Sequence, residues 1–226
     1  MTRSLHIRAG NRLLRLALVL ALLVFLPAGT LRWWQGWVFV GVFWLCSAAV
    51  TVYLAINDPQ LLERRINAGS RAEQVGSQKI IIRLVFLSFA LTMIIPAIDH
   101  RFGWSQVPGH LVILGYALIV LGFAGIWIVF RENTYGASTI QLAEGQQVIS
   151  TGPYAIVRHP MYSTALVMLS GIPLALGSWW GLVTVPTNVA AICWRLLDEE
   201  RFLESGLTGY RDYLVRVRYR LVPFIW

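Results

Sequence analysis

Three short polar clusters near the C-terminal end of the chain carry the side chains that could do chemistry. The first runs from Gly152 to Tyr162 and contains Arg158 and His159, immediately before Pro160. A proline suits the first turn of a helix, where free backbone N–H groups can bind an anionic group. Arg158 and His159 add donors and positive charge at the same place. The alternative is structural: Arg158 anchors the chain at the headgroups and His159 caps a helix.

The second cluster contains three consecutive acids, Asp198, Glu199 and Glu200, in a chain with only 11 acidic residues. They directly follow an apolar segment, and a helix continuing through them would point Glu199 and Glu200 about 100° apart. Carboxylates beside a membrane are costly unless they are solvated or used. One of them could meet a positively charged sulfonium or ribose hydroxyls. The alternative is a solvated helix face that pairs with Arg195 or Arg201.

The third cluster lies in the C-terminal tail. Tyr210, Tyr213 and Val217 share one helical face by their i, i+3, i+7 spacing. Basic residues follow up to Arg220, which favours an interfacial amphipathic helix with a basic outer face. Such a helix still allows one tyrosine or arginine to face a site.

The composition places these clusters in a membrane protein. Of the 226 residues, 57% are hydrophobic and 13% are charged, whereas soluble domains carry roughly 25% charged residues. Long apolar segments predict four spans, at about 13–28, 36–56, 79–98 and 111–130. The segment 60–78 between the second and third spans is predicted to be an amphipathic or solvated loop. The predicted fold class is therefore all-α and polytopic.

A further run at 161–194 has no charged residue, and as one helix it would be ~51 Å long, too long for a bilayer. Glycines and a proline near Gly177 predict that it breaks into a hairpin of two short helices. The sequence thus predicts N-terminal transmembrane helices at 1–110 and a second unit at 111–226 that carries all three clusters.

The basic residues predict the orientation of the chain in the membrane. If the N-terminus is cytosolic and the spans alternate, only Arg32 and Arg101 of the 19 basic residues fall outside. Both termini and the three clusters then face the cytosol, and a bacterial inner membrane is the expected location. The first apolar stretch also mimics a signal peptide that ends near Pro27. A helical hairpin explains the same region without cleavage, because a second span begins shortly afterwards.

Other classes of function fit the sequence poorly. The net charge of +8 matches basic residues that flank membrane spans and touch anionic headgroups, and we expect no nucleic-acid partner. The two cysteines, Cys46 and Cys193, both lie in apolar segments, without a CxxC or Cys/His cluster. We therefore expect no metal site and no disulfide framework.

Taken in order, the clusters resemble a known enzyme family. The pattern is GPYxxxRHPxY, an apolar helical hairpin, EExxL, YxxY and a basic stretch that ends in PF. It is similar to the isoprenylcysteine carboxyl methyltransferases and their relatives, the membrane phospholipid methyltransferases. The similarity covers about 111–226. One departure is Thr164, where family members often have glycine; its larger side chain is expected to narrow the hairpin packing or an acceptor tunnel.

The resemblance implies an S-adenosylmethionine-dependent membrane methyltransferase without a Rossmann fold. It implies a cofactor pocket near the cytosolic face, roofed by the loop and the C-terminal helix, with the cofactor-binding residues Tyr154, His159, Pro160, Tyr162, Glu200 and Tyr213. The implied catalytic residues are Arg158, which would orient an acceptor carboxylate, and Glu199. The implied partners are the lipid bilayer and an amphipathic or lipid-like acceptor.

The acceptor itself stays open. A prenylated cysteine carboxylate, a phospholipid amine and a small thiol all fit the motifs. The alternative of another class is a non-catalytic membrane anchor or assembly protein that keeps the outline of the pocket.

Overall fold

The computed structural model describes residues 2–67, 76–136 and 146–226. Within these ranges the protein forms eight α-helices and no β-strand, which confirms the predicted all-α fold. Four helical segments are long and apolar enough to cross a membrane: Ser4–Ala28, Trp34–Asn57, Ile80–Phe102 and Gly109–Glu132. They correspond to the four predicted spans, and each is longer than predicted.

The first two helices, α1 (Thr2–Ala28) and α2 (Trp34–Asn57), form a hairpin. Helix α1 begins well before the predicted start at position 13. Its early turns are held by tertiary contacts: Leu5 and Ala9 are buried, and Arg8 donates a hydrogen bond to Glu63 over 2.8 Å. The predicted start was later because the prediction used only the length of the apolar stretch, which contains no information on tertiary contacts.

The segment predicted as an amphipathic or solvated loop at 60–78 contains a short helix, α3 (Pro59–Asn67). The Asp58 carboxylate accepts a hydrogen bond from the Leu61 N–H over 2.9 Å, which satisfies a free donor of the first turn. The apolar face of α3, including Leu61 and Ile66, is buried in the cluster that contains the start of α1. Residues 68–75 of this predicted segment lie outside the described residues, and 76–78 belong to the next helix.

Helices α4 (Gly76–Phe102) and α5 (Gly109–Glu132) complete the set of long helices. Buried hydrogen bonds join α4 to a later helix within the apolar zone: Ser88 Oγ donates to Asn188 Oδ1 over 2.8 Å, and Asn188 Nδ2 donates to Thr92 over 3.0 Å. In lipid such side-chain hydrogen bonds hold neighbouring helices together.

The 161–194 run breaks as predicted, into α6 (Pro160–Ala175) and α7 (Thr184–Gly206). Gly177 sits between them with φ +75°, a conformation that favours glycine. Helix α6 packs tightly along α5 because glycines let the backbones approach. A Cβ added to Gly115 would lie 2.3 Å from the backbone nitrogen of Ala175, and one added to Gly122 would lie 2.5 Å from Met168 Cβ.

The turn between α6 and α7 lies level with the turn between α4 and α5. The buried Asp99 accepts hydrogen bonds from the hydroxyls of Ser105 and Ser178, and the Trp179 N–H donates to Ser105 Oγ over 3.1 Å. Helix α6 therefore reaches the far end of the bundle. The start of α1, helix α3, the loop at 146–159 and the C-terminal tail all lie at the opposite end. Which compartment that end faces stays a prediction.

The C-terminal tail contains one short helix, α8 (Tyr210–Arg216). Tyr210, Tyr213 and Val217 are buried together and pack against Leu203 and Val148. This confirms the prediction that the three residues share one helical face. The face packs against other parts of the protein.

Candidate active site

The motif loop is shaped by a 3₁₀ turn at Gly152–Ala155, followed by the start of α6 at Pro160. Gly152 has φ +55°, and a Cβ at this position would lie 2.9 Å from the Glu132 side chain. The glycine therefore lets the turn close against the end of α5. Pro160 is the first residue of α6 and His159 is its N-terminal flanking residue, which confirms the predicted helix start.

The C-terminal tail fastens this loop through backbone hydrogen bonds. The Arg158 N–H donates to the Tyr219 carbonyl over 2.9 Å, and the His159 N–H donates to the Arg220 carbonyl over 3.0 Å. In addition, Ser163 Oγ donates to the Leu221 carbonyl over 2.6 Å. The first and third sequence clusters therefore form one unit.

Glu200 is the centre of a buried charge network. Its Oε1 accepts from Arg158 Nη1 over 2.8 Å and lies 3.2 Å from His159 Nε2, and its Oε2 accepts from Arg220 Nε over 2.9 Å. Burial alone would raise the pKa of this carboxyl. The hydrogen bonds from His159 and Arg220 and the charges of His159 and Arg158 lower the pKa to about 2, so Glu200 is ionised at neutral pH.

Arg158 is buried in this network. Its side chain is 9% exposed, and Nη2 donates to the Arg218 carbonyl over 2.8 Å. Within the described part of the chain its Nε has no hydrogen-bond partner. This burial does not fit an arginine that merely reaches to the headgroups.

Glu199 takes part in a second, separate hydrogen-bond chain. Its Oε2 accepts from the Tyr162 hydroxyl over 2.7 Å, and the same hydroxyl accepts from Arg195 Nε over 3.0 Å. The two adjacent carboxylates thus serve different networks, as their angular separation on α7 predicts. The acids lie in the C-terminal part of α7, well after its start at Thr184.

Tyr154 links the loop to α5 and α8. Its hydroxyl accepts from Asn133 Nδ2 over 2.9 Å, and its carbonyl accepts from the Tyr213 hydroxyl over 2.8 Å. Burial raises the pKa of Tyr154 to about 12; the hydrogen bond from Asn133 opposes this shift and the charge of Glu199 adds to it. The phenol stays protonated, and it serves as a hydrogen-bonding group and an aromatic wall.

These groups surround a cavity of about 540 Å³. Its polar walls contain six of the predicted site residues: Tyr154, Arg158, His159, Tyr162, Glu199 and Tyr213. Pro160 and Glu200 do not line it. Pro160 is buried at the start of α6, and Glu200 supports the wall through Arg158 and His159. A role for these two in cofactor binding stays a prediction.

The cavity continues from the polar walls into an apolar part between α4, α6 and α7, lined by Ile82, Val85, Phe86, Phe89, Met168, Leu169 and Ile192. Phe86 is 59% exposed, so the cavity meets the apolar surface beside α4. Gln147 lines the other end and is exposed on the loop. Thr164 is absent from the lining, because its methyl group packs into the space that Gly125 leaves on α5.

Some lining residues were not predicted as site residues. Arg65 of α3 and Asn133 at the end of α5 both line the cavity. Neither lies in a motif, and Arg65 is about 90 positions from the first cluster along the sequence. Its only sequence signal is a basic pair in an amphipathic segment, which usually marks a solvated face. In the described residues there is no group of His, Cys, Asp and Glu that could hold a metal ion.

The fold and the site define a polytopic helical membrane protein with a cavity near one end of its helical bundle. Residues 110–207 match the sequence model of the phospholipid methyltransferase family. The matched stretch runs from α5 to α7 and covers less than half of the chain, and it confirms the resemblance of the motifs to this family. Helices α1 to α4 and the C-terminal tail lie outside the matched residues.

Two proteins that are similar in sequence to this chain carry names that describe different functions. The Delta(14)-sterol reductase TM7SF2 of Mus musculus is 30% identical over 105 residues, which cover 43% of this chain and 25% of the reductase. The cobalt-zinc-cadmium resistance protein CzcN of Cupriavidus metallidurans is 24% identical over 166 residues, which cover 71% of this chain and 68% of that protein. The match thus spans only a quarter of the reductase.

Proposed function

We propose that this protein is a membrane methyltransferase that uses S-adenosylmethionine and methylates an amphipathic or lipid-like acceptor, with O-methylation of a carboxylate favoured. The observation that carries the proposal is the single cavity with two kinds of wall. Its polar walls come from the motif residues near Gln147, and its apolar walls reach the surface at Phe86. A polar cofactor and an apolar acceptor can therefore enter from different sides and meet inside.

The residues present fit the cofactor. A volume of about 540 Å³ lies within the ~300–1,000 Å³ range of small-molecule sites. Tyr154 and Tyr162 offer aromatic faces, His159 can hydrogen-bond ribose hydroxyls or the base, and Glu199 carries negative charge beside Tyr162. When bound, S-adenosylmethionine supplies an electrophilic methyl group on a sulfonium centre.

The side chains of the protein then have three tasks. Glu199 stabilises positive charge in the cavity, while Tyr162 and Arg195 fix the position of its carboxylate. Glu200 holds Arg158 and His159 in the wall. The apolar residues of α4, α6 and α7 exclude water and align the acceptor. A carboxylate acceptor needs no strong base, so alignment and water exclusion are the main requirements.

The charges favour a carboxylate over an amine. Among the described residues, Arg65, Arg158 and Arg195 line the cavity together with the single carboxylate of Glu199, and this excess of cations favours a carboxylate over a protonated amine. N-methylation of a phospholipid amine and S-methylation of a small thiol are the alternatives within the same class. The sterol reductase relative supports a second candidate function, in which the same cavity holds a reducing nucleotide and a polycyclic lipid.

Isothermal titration of the purified protein in detergent tests the proposal. S-adenosylhomocysteine should bind at one site per chain. His159→Ala and Glu199→Gln should each weaken binding about tenfold or more, as expected when a buried hydrogen bond or charge contact is lost. Glu204→Gln is the matched control, because Glu204 lies on the same helix but is exposed and pairs with Arg211.

Failure of S-adenosylhomocysteine to bind would contradict the proposal. If the parent protein binds NADPH and not S-adenosylhomocysteine, the reductase alternative replaces the methyltransferase. If it binds neither, a non-catalytic anchor or assembly role is favoured. If S-adenosylhomocysteine does bind, a screen with tritiated S-adenosylmethionine against prenylcysteine analogues, phosphatidylethanolamine and small thiols identifies the acceptor class.

A further inference from the structure

Arg65 is a cation from the N-terminal half of the chain that faces the cavity. It lies on α3, and its guanidinium carbon is 4.4 Å from the centre of the Phe130 ring. Its Nη1 donates to the Gly136 carbonyl over 3.0 Å. The residue is partly buried and lines the cavity, as do Tyr135 and Met161. These contacts fix the plane of the guanidinium at the polar end of the cavity.

No acidic partner neutralises Arg65 among the residues that the structure describes. By contrast, Arg8 pairs with Glu63, and Arg158 and Arg220 pair with Glu200. A guanidinium has five N–H donors, and the Gly136 carbonyl accepts from only one of its nitrogens. Burial lowers the pKa of Arg65 to about 10, so it is charged at neutral pH. A desolvated and unpaired cation weakens a fold unless something compensates its charge.

Arg158 is less able to bind a ligand through its guanidinium. Its two terminal nitrogens already donate to Glu200 and to the Arg218 carbonyl, which leaves Nε as its unpartnered nitrogen in the described structure. Among the described residues, Arg65 has one side-chain hydrogen bond, from Nη1, so more of its N–H donors are without a partner there. A planar guanidinium with open donors binds a carboxylate or phosphate through two parallel hydrogen bonds.

We propose that Arg65 binds an anionic oxygen group, a carboxylate or a phosphate, of a ligand in the cavity. This inference rests on the proposed function only in that a ligand occupies the cavity. The anion has two possible sources, the carboxylate of the cofactor or the polar head of the acceptor. In either case α3, which lies outside the family match, adds a recognition element that the motifs do not contain.

Arg64 provides a matched control for the experiment. It is the neighbouring residue on α3, and its Nη1 donates to the Thr134 carbonyl over 3.1 Å, so it fastens the same loop in the same way. Arg64 does not line the cavity. Arg64→Gln and Arg65→Gln therefore remove the same kind of structural contact, and only Arg65→Gln removes a cation from the cavity.

The first arm of the test addresses the cofactor as the source. S-adenosylhomocysteine and its decarboxylated analogue are titrated into the parent protein, Arg64→Gln and Arg65→Gln. If Arg65 binds the carboxylate of the cofactor, Arg65→Gln weakens S-adenosylhomocysteine about tenfold or more, the usual effect of losing a charge-assisted pair. The decarboxylated analogue should bind the parent and Arg65→Gln equally.

The second arm addresses the acceptor and does not depend on cofactor binding. Thermal melting is followed with decanoate, decyl phosphate and the uncharged control decanol. If Arg65 binds the head of the acceptor, an anionic amphiphile stabilises the parent and Arg64→Gln more than decanol does, and Arg65→Gln abolishes the difference.

Two outcomes overturn the inference. One is that Arg65→Gln changes the affinity for every anionic probe by less than twofold, or by no more than Arg64→Gln does. The other is that no anionic probe binds the parent better than its uncharged counterpart. Failure of S-adenosylhomocysteine to bind any of the three proteins would instead count against the proposed function, and the second arm would still decide the role of Arg65.

Discussion

Arg158 Nη1 and Glu200 Oε1 form a buried ion pair at 2.8 Å, with both side chains less than 10% exposed. The same carboxylate also contacts His159 and Arg220. A single side chain of α7 thereby connects the motif loop to the C-terminal tail. Because the three basic groups converge on one acid, loss of that acid leaves buried positive charge without compensation.

Glu200→Gln should therefore destabilise the folded protein substantially. Removing one partner of a buried pair typically costs about 3–5 kcal/mol. The melting temperature in detergent should fall clearly below that of the parent, whereas Glu204→Gln, which breaks only an exposed pair, should melt like the parent. Equal melting temperatures for the two variants would show that the network does not hold the loop.

The stabilisation by Glu200 should depend on pH. The folded-state pKa of about 2 lies below the value of ~4.3 for glutamate in an unfolded chain. The unfolded state therefore binds more protons between these values, so the contribution is complete above about pH 5 and is lost as the pH falls towards 2. Its upper size is about 3 kcal/mol.

Melting temperatures of the parent and Glu200→Gln, measured from pH 7 down to pH 3, check this sign. The difference between the two proteins should be largest above pH 5 and should shrink at lower pH. The comparison of two proteins removes the effect of other carboxylates that titrate in the same range. A difference that stays constant over the whole range would contradict the lowered pKa.

The sequence predicted the helices better than the contacts between them. Apolar length locates α2 and α5 to within a few residues, because hydrocarbon thickness imposes that length. The hairpin break at Gly177 follows from glycines and total length. The early start of α1 and the existence of α3 depend on tertiary contacts such as Arg8 with Glu63, which local patterns do not contain.

The same limit applies to the site. The resemblance of the ordered motifs implied eight site residues, and six of them line the cavity. The resemblance assigned Glu200 to the cofactor and Glu199 to catalysis, whereas Glu199 lines the cavity and Glu200 lies behind its wall. Helical spacing gives the angle between the two side chains but not the partner of each. Arg65 was missed because only the folded chain brings α3 beside the loop.

Arg158→Lys tests whether Arg158 orients the acceptor. A lysine can replace the ion pair with Glu200, but its single nitrogen cannot also reproduce the hydrogen bond from Arg158 Nη2 to the Arg218 carbonyl or the planar donors of the guanidinium. We expect affinity for S-adenosylhomocysteine to stay within about threefold, while turnover of a carboxylate acceptor falls about tenfold or more. The measurement is steady-state methyl transfer once an acceptor is found. Turnover like that of the parent would rule out an orienting role and direct attention to Arg195 and Tyr213.

The close contact between α5 and α6 should tolerate no added methyl group. A Cβ at Gly115 would lie 2.3 Å from a backbone atom of α6, whereas a Cβ at Gly41 on α2 has no heavy atom within 4 Å. Alanine favours a helix by about 1 kcal/mol over glycine, so Gly41→Ala should melt at or above the temperature of the parent. Gly115→Ala should melt lower, because overpacking costs about 1–3 kcal/mol and forces two backbones apart.

The Tyr162 hydroxyl should be needed for cofactor affinity more than for folding. It donates to Glu199 and accepts from Arg195, so Tyr162→Phe leaves the ring in the cavity wall and frees the carboxylate to move. We expect S-adenosylhomocysteine to bind about tenfold more weakly, in line with the loss of a hydrogen bond to a charged group.

Tyr116→Phe is the matched control for this change. The Tyr116 hydroxyl is also partly buried and donates to the Gln35 carbonyl over 2.8 Å, but Tyr116 does not line the cavity. Both variants lose one tyrosine hydroxyl between helices, and their melting temperatures should fall by similar amounts. Only Tyr162→Phe should lose affinity in the titration. If both variants bind S-adenosylhomocysteine like the parent, Glu199 does not need Tyr162 to hold the cofactor. If both lose affinity equally, the loss reflects weakened packing, because a general loss of stability would affect binding without regard to the position of the hydroxyl.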